Sequence, residues 1–245
     1  MSDYSTVIKQ INDLDEATRN QIVEIYLNYY DGSSRSRVLS DLERKTEVLL
    51  LFFKGRLIGF TTLLLYSRSW QGAPIRILYS GDTIVEREHW GQQALAFAWI
   101  ARMGEIKNEQ PEIPLYWFVI IKGHRTFKYL SVFAKSFYPH WSDSRPDLKL
   151  LADALAKDKF GIDYNPETGI VEYAISQGHL KQEIVCPTEE EMEKESVKYF
   201  LRANPNYKLG HELVCLCELE EENMKPLAKR IFKKTSDDRF LAATV

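Results

Sequence analysis

The run Ile75-Arg-Ile-Leu-Tyr-Ser-Gly-Asp-Thr-Ile-Val-Glu-Arg-Glu-His-Trp-Gly-Gln-Gln-Ala-Leu-Ala-Phe-Ala-Trp-Ile-Ala-Arg102 reads as a strand, a short polar loop and a helix. Ile75, Ile77, Tyr79, Thr83 and Val85 put apolar or β-branched side chains at alternate positions, the period of a strand. Gly81 interrupts that run where a bulge or a close backbone approach is expected. Past Gly91 the period changes: Ala94, Leu95, Ala98, Trp99 and Met103 recur at helical spacing and form one apolar stripe. The first amides of that helix have no partner inside it and carry a partial positive charge, so the turn is a candidate anion site.

Upstream, Val7 to Ile11 fits a short strand, and the N-cap candidates Asn12 to Asp15 precede a helix carrying Ile22, Val23, Ile25, Tyr26 and Tyr29. A second helix fits Ser36 to Lys45, capped by Ser33 or Ser34. Glu47 to Phe53 and Leu57 to Tyr66, joined at Lys54-Gly55, form a hairpin, and Ser67 to Pro74 reads as a loop. Downstream, Leu115 to Ile121 is a nearly continuous apolar run, as in a strand covered on both faces. After Lys122-Gly123-His124-Arg125 comes a helix with Phe127, Leu130, Phe133, Ala134 and Phe137 on one side. Two strand–loop–helix units after an antiparallel hairpin imply an α/β fold with a mixed sheet and helices on both faces. Beyond Pro139 the spacing predicts a helix over Pro146–Lys157, a turn at Asn165–Gly169, a strand over Ile170–Ile175, a helix opening on the acidic run Glu189–Glu195, a strand over His211–Leu219 and a helix over Glu221–Lys233 with Met224, Leu227, Ala228 and Ile231 inward. No flexible linker separates the parts, so residues 141–245 are expected as a C-terminal α/β extension packed on residues 1–140.

The chain has 245 residues, 44% of them hydrophobic, enough for a substantial core. A net charge of −3 argues against a general nucleic-acid binder. The opening residues lack a basic segment followed by an apolar run, and no apolar stretch approaches the roughly 18 residues of a membrane span, which places the protein in a cytoplasm, away from membranes. Cys186, Cys215 and Cys217 lack the paired Cys-x-x-Cys spacing of a zinc site; buried free thiols and no metal are expected.

The order of elements from Val7 to Tyr138 resembles that of the GNAT superfamily of acyl-CoA N-acyltransferases. Three places carry the resemblance: Gly55-Arg56-Leu57-Ile58-Gly59-Phe60, like the family's hairpin; Ile84-Val85 through Trp90-Gly91-Gln92-Gln93-Ala94-Leu95, like its strand end and pyrophosphate loop; and Phe133-Ala134-Lys135-Ser136-Phe137, like its Tyr-x-Lys-x-Gly-Phe helix end. Glu88 stands where that loop usually has Arg or Gln, Gln93 where Gly or Ala is usual, Phe133 or a neighbour in place of tyrosine, and Ser136 in place of glycine.

The resemblance implies a mostly antiparallel central sheet, a thioester donor that is acyl-CoA, acetyl-CoA or the phosphopantetheine of an acyl carrier protein, and an amine acceptor. It places the donor arm in an opening between the strands holding Ser80 and Phe118. An amide near Tyr79 or Ser80 would face the oxyanion; Trp90, Gly91, Gln92, Gln93 and Ala94 would form the donor loop, with Lys122 and Arg125 near phosphate. Asp82 and Glu86 are the candidate bases, Asp82 being a carboxylate in an apolar strand, and His124 and Tyr129 the candidate acids. Trp70, Trp90, Trp99, Trp117 and Phe118 around the supposed cleft suggest an apolar acyl chain or an aromatic acceptor. The expected activity is N-acyl transfer by direct amine attack; the alternative is a non-catalytic module that binds acyl thioesters or docks on a partner.

Overall fold

A computed structural model describes residues 3–233. In chain order the elements are β1 (Tyr4–Gln10), α1 (Glu16–Tyr29), β2 (Tyr30–Asp31), α2 (Arg35–Leu42), β3 (Glu47–Phe53), β4 (Arg56–Trp70), β5 (Ala73–Val85), α3 (Ala94–Glu109), β6 (Leu115–Ile121), α4 (His124–Phe133), α5 (Pro146–Phe160), β7 (Tyr164–Asn165), β8 (Ile170–Val171), β9 (His179–Leu180), α6 (Gln182–Val185), α7 (Glu189–Met192), α8 (Glu195–Ala203), β10 (Glu212–Glu218) and α9 (Pro226–Phe232). Eight strands form one sheet in the order β1-β3-β4-β5-β6-β10-β8-β7, and β2 and β9 pair separately. Every pairing is antiparallel except β5 with β6.

Strand alternation sorts the side chains into two layers. Leu49, Leu51, Leu78, Trp117, Val119, Leu213 and Cys215 pack under α3, α4, α8 and α9. Val48, Leu50 and Phe60 meet α1 and α2, while Ile77, Tyr79, Phe118, Val214 and Leu216 meet α5 on the same side. Two helix groups therefore share one face of the sheet, and the space between them lies over the middle strands.

The helix starts follow from local capping. The Thr18 amide donates to Asp15 Oδ1 at 2.7 Å, the Arg37 amide to Ser34 Oγ at 3.3 Å, and Thr188 with Glu191 forms a capping box. Ser67–Pro74 is not a loop: β4 and β5 continue past the core as a long hairpin closed at Gln71-Gly72, both at positive φ (50° and 83°). The helix expected to run to Phe137 stops at Phe133, where Ala134 leaves to bridge Met224, so Lys135-Ser136-Phe137 does not end a helix as the resemblance implied. The last helix starts only at Pro226, after a 3₁₀ turn at Glu221–Asn223, and its Leu227 is exposed. Cys215 and Cys217 are buried free thiols, but Cys186 is exposed.

The sheet does not stop at residue 140. β10 pairs with β6 from Leu213↔Ile121 to Glu218↔Tyr116, so the C-terminal segment supplies the next strands of the same sheet. The rest of that segment, 234–245, lies outside the described residues. α9 seats directly on α3 because Gly104 has no side chain: a Cβ there would collide with the Phe232 carbonyl oxygen and lie 2.8 Å from its carbon. Gly104→Ala is expected to push α9 off and cost roughly 1–3 kcal/mol, read as a lower urea midpoint. A midpoint equal to that of the wild type would show that α9 yields without loss.

Candidate functional site

β5 and β6 run side by side from Arg76↔Leu115 to Ser80↔Val119 and then part, although β5 continues to Val85 and β6 to Ile121. A bulge in β5 marks the same place. Thr61 pairs with Thr83 and Leu63 with Ser80, so Gly81 and Asp82 together oppose Thr62 alone. A Cβ on Gly81 would sit on Thr62 Oγ1 and 2.6 Å from Lys45 Cε, so the bulge closes only on glycine. From Gly81 onward the edge of β5 that faced β6 is left unpaired, and a cleft of about 1160 Å³ opens beside it between α1, α2, α3, α4 and α5.

Asp82 stands at this opening. Among the described residues no group hydrogen-bonds its carboxylate or forms an ion pair with it. Burial and the neighbouring Asp41 push its pKa up to about 6, against the opposing pull of Lys122 and Lys45. Those two lysines are committed elsewhere: Lys45 to Asp41, and Lys122 Nζ to Glu212 Oε1 at 3.0 Å. Burial works against the Lys122 charge, but Glu212 and Asp82 outweigh it and hold the ammonium protonated. Four tyrosines wall this part of the cleft. Lys122 lies 5.5 Å from the Tyr30 ring centre, Lys45 lies 5.7 Å and Lys159 4.2 Å from that of Tyr79, and Tyr173 donates to Glu212 Oε2 at 3.1 Å. Tyr26 stacks on Tyr30 at 4.5 Å.

On the other side the loop from Glu86 to Gln93 leads into α3. It contains a 3₁₀ turn, Arg87–His89, that the helical period did not foreshadow, and its amides are partly used within it: Trp90 donates to the Arg87 carbonyl and Gln92 to that of His89. Gln92 Oε1 in turn accepts from the Leu95 amide at 3.3 Å, capping α3 from inside. The parallel pair that parts at a glycine bulge, the loop to α3 beside it and the antiparallel strands before it are the arrangement the resemblance implied. The fold is GNAT-like.

No protein-family model and no curated protein matches this chain in sequence. Among solved structures, a probable N-acyltransferase from Enterococcus faecalis V583 is 9% identical over 55% of this chain and 33% of its own, with a TM-score of 0.41. A GCN5-related N-acetyltransferase from Kribbella flavida is 10% identical over 54% and 34%, at 0.39. A ribosomal-protein-alanine N-acetyltransferase from Brucella melitensis biovar Abortus 2308 is 17% identical over 58% and 96%, at 0.42. The chain spans about a third of the Enterococcus and Kribbella proteins. What makes the fold GNAT-like is its strand order and the parting of β5 from β6.

The GNAT-like cleft gathers Tyr79, Asp82, Trp90, Gly91, Gln92, Gln93, Lys122, His124, Arg125 and Tyr129. It leaves out three expected residues. Ser80 lies within the paired stretch, where its Oγ accepts from the Trp117 indole N–H at 2.8 Å, so the open backbone starts at Gly81, just past Tyr79 and Ser80. Glu86 turns away to a bidentate pair with Arg56 across the hairpin, 2.7 and 2.6 Å. Ala94 packs against the β3 side of the sheet.

Three others have prior commitments. Arg125 is held by Glu191 at 2.8 Å and by the Ile184 carbonyl at 2.7 Å, with the Trp90 ring centre 4.6 Å away, so its charge is already matched. Lys122 belongs with Glu212, on the side of Asp82. His124 is buried, its Nε2 3.3 Å from Glu191 and its Nδ1 without a partner, and burial together with Arg125 holds its pKa below the usual value, so the ring is neutral. Tyr129 lines the cleft, its hydroxyl has no hydrogen-bond partner among the described residues, and burial raises its pKa and keeps it protonated.

The aromatic cluster inferred from the sequence mostly belongs to the core: Trp99, Trp117 and Phe118 are buried, and of the five only Trp90 lines the cleft. Asp41, Lys45, Glu212 and the tyrosine walls were not foreseen. Glu212 had the same signal as Asp82, a carboxylate in an apolar run, Glu-Leu-Val-Cys-Leu-Cys. Among the described residues no cluster suited to a metal ion occurs, and no helix is long and apolar enough to cross a membrane.

Proposed function

We propose that the chain is an N-acyltransferase that moves an acyl group from a pantetheine thioester to an amine by direct attack. The observation that carries this reading is the unpaired β5 edge at Gly81 with the unpartnered Asp82 carboxylate beside it. A strand edge offers amide and carbonyl partners to a pantetheine arm, which would bind as a short extra strand. The loop offers a diphosphate less: three of its amides, those of His89, Trp90 and Gln92, are internally bonded, Gln92 caps α3, and Glu88 adds negative charge. The reading therefore concerns the pantetheine portion that acyl-CoA and acyl carrier protein share.

When bound, the thioester supplies an activated acyl carbon. Asp82 draws in the ammonium of the acceptor and takes its proton, leaving the lone pair free to attack. Backbone amides at the bulge face the oxygen on which negative charge develops. As the C–S bond breaks, the Tyr129 hydroxyl gives a proton to the sulfur, and the second proton that the attacking nitrogen sheds on becoming an amide replaces it on the tyrosine oxygen. Asp82 is the proposed base, Tyr129 the proposed acid, and His124 and Arg125 brace α4 against α7.

The test is product mass spectrometry with acetyl-CoA, longer acyl-CoAs and acetyl-pantetheine against a panel of amines, alongside melting curves with each donor. Acylated amine is the expected result. A melting shift without product would favour a non-catalytic thioester-binding module, a reading that the internally bonded loop supports. No shift and no product with any donor would overturn both.

A further inference from the structure

The side of the cleft that holds Asp82 differs in charge between its depth and its rim. In its depth Glu212 is matched by Lys122, the half-exposed Asp41 is matched by the buried Lys45, and Asp82 forms no ion pair among the described residues. At the rim, Lys159 and Arg44 line the same cleft, and among the described residues neither side chain forms an ion pair or a hydrogen bond. Lys159 rests 4.2 Å from the centre of the Tyr79 ring, the wall shared with Lys45. Burial, Lys45 and Arg44 all disfavour its charge, which places three cations close together with Asp41 as their nearby counter-charge. Asp163, a further carboxylate lining the cleft, forms no ion pair among the described residues and leaves the two rim cations in excess by one.

A strap also borders the pocket, which Gln177 and Leu180 help to line. Residues of the C-terminal segment cross from the far end of the sheet to the first helices: Tyr30 pairs with Leu180 and Asp31 with His179, Lys181 donates to the Tyr29 carbonyl at 3.0 Å, and Arg37 to that of Ser176 at 3.2 Å. Gly178 passes so near Tyr26 and Ser33 that a Cβ would lie 3.4 and 3.2 Å from them. A strap tied at this many points favours a compact occupant over an extended polypeptide running through the cleft.

We infer that this pocket takes a compact amine bearing an anionic group, its ammonium at Asp82 and its carboxylate or phosphate at Lys159 and Arg44, with the Tyr79 ring between. The inference rests on the transferase reading for the word acceptor, while the binding claim stands apart from it. Unpaired charges of opposite sign at the two ends of a pocket select a ligand of complementary polarity more than they add raw affinity.

The test compares four probes of similar length: n-butylamine, 1,4-diaminobutane, 4-aminobutyrate and 3-aminopropyl phosphate. Calorimetric binding and, with acetyl-CoA or acetyl-pantetheine as donor, turnover are measured for the wild type, Lys159→Met and Arg44→Met. One or both anionic amines are expected to bind at least tenfold tighter than butylamine and the diamine, and each variant to remove most of that preference while leaving butylamine unchanged. Lys159 and Arg44 lie at the rim, so both variants are expected to fold, which their melting curves verify. Equal binding of all four probes, or preference for the diamine, overturns the inference even if acyl transfer occurs. Selective binding of the anionic amines without turnover leaves the inference standing and removes the transferase reading.

Discussion

Asp82→Asn is expected to lower kcat by about 10²- to 10⁴-fold, the range lost with a general base, while the melting shift given by the thioester donor stays near that of the wild type. The wild-type profile of kcat/KM should rise as pH passes through about 6, where Asp82 gives up its proton, and the asparagine variant should lose that limb. The same substitution should stabilise the fold. Because burial holds the folded-state pKa above the ordinary 3.8, the folded chain binds this proton more tightly than the unfolded one, and the ionised carboxylate is a cost above about pH 6. Asp82→Asn should thus melt higher than the wild type at pH 8, by an amount equivalent to roughly 1–3 kcal/mol, and the advantage should fade as pH falls from 6 towards 4. A variant that is less active and more stable at pH 8 marks a residue kept for its chemistry. One that is less active and less stable would mark Asp82 as a structural partner.

Gly81→Ala is expected to be the most damaging change in the cleft. Its methyl group would fall on Thr62 Oγ1 and 2.6 Å from Lys45 Cε, so either the bulge opens or β4 and Lys45 move. The expected cost is about 1–3 kcal/mol, with loss of the donor-induced melting shift because the β5 edge no longer diverges from β6. Thr62→Ala in the same chain should recover part of both, since Thr62 Oγ1 makes no hydrogen bond among the described residues and its removal relieves the collision. Retained donor binding in Gly81→Ala would separate the bulge from the site.

The first two-thirds of the sheet was legible because its strands are buried on at least one face, and burial writes itself into alternate or continuous apolar residues. The outer halves of β4 and β5 run past the core, so Ser67 and Ser69 face water, Arg68 pairs with Asp158, and the stretch reads as a loop. Only Gln71-Gly72 hinted at a hairpin. The early stop of α4 was hidden for the opposite reason. Ala134 and Phe137 are buried by the C-terminal segment and so continue an apolar pattern without continuing a helix.

At the site, Asp82 was readable because a carboxylate in an apolar strand needs a reason. Glu86 was misleading because closeness along the chain says nothing about the Arg56 waiting across the hairpin. Tyr26 looked like a core position of a helix, and only the fold turns it towards a cavity. Lys45 and Lys159 lie 114 residues apart and meet on one ring, a coincidence no local pattern records.

The place of β10 between β6 and β8 bears on how the molecule is made. β6 is translated some 90 residues before its neighbour Glu212–Glu218, and between its emergence and theirs an apolar edge stands open. Such an edge is a template for pairing with the wrong chain. Newly synthesised copies are therefore vulnerable late in translation, and a nonsense mutation anywhere between β6 and β10 should send the product to chaperones and proteases instead of leaving a shorter working protein.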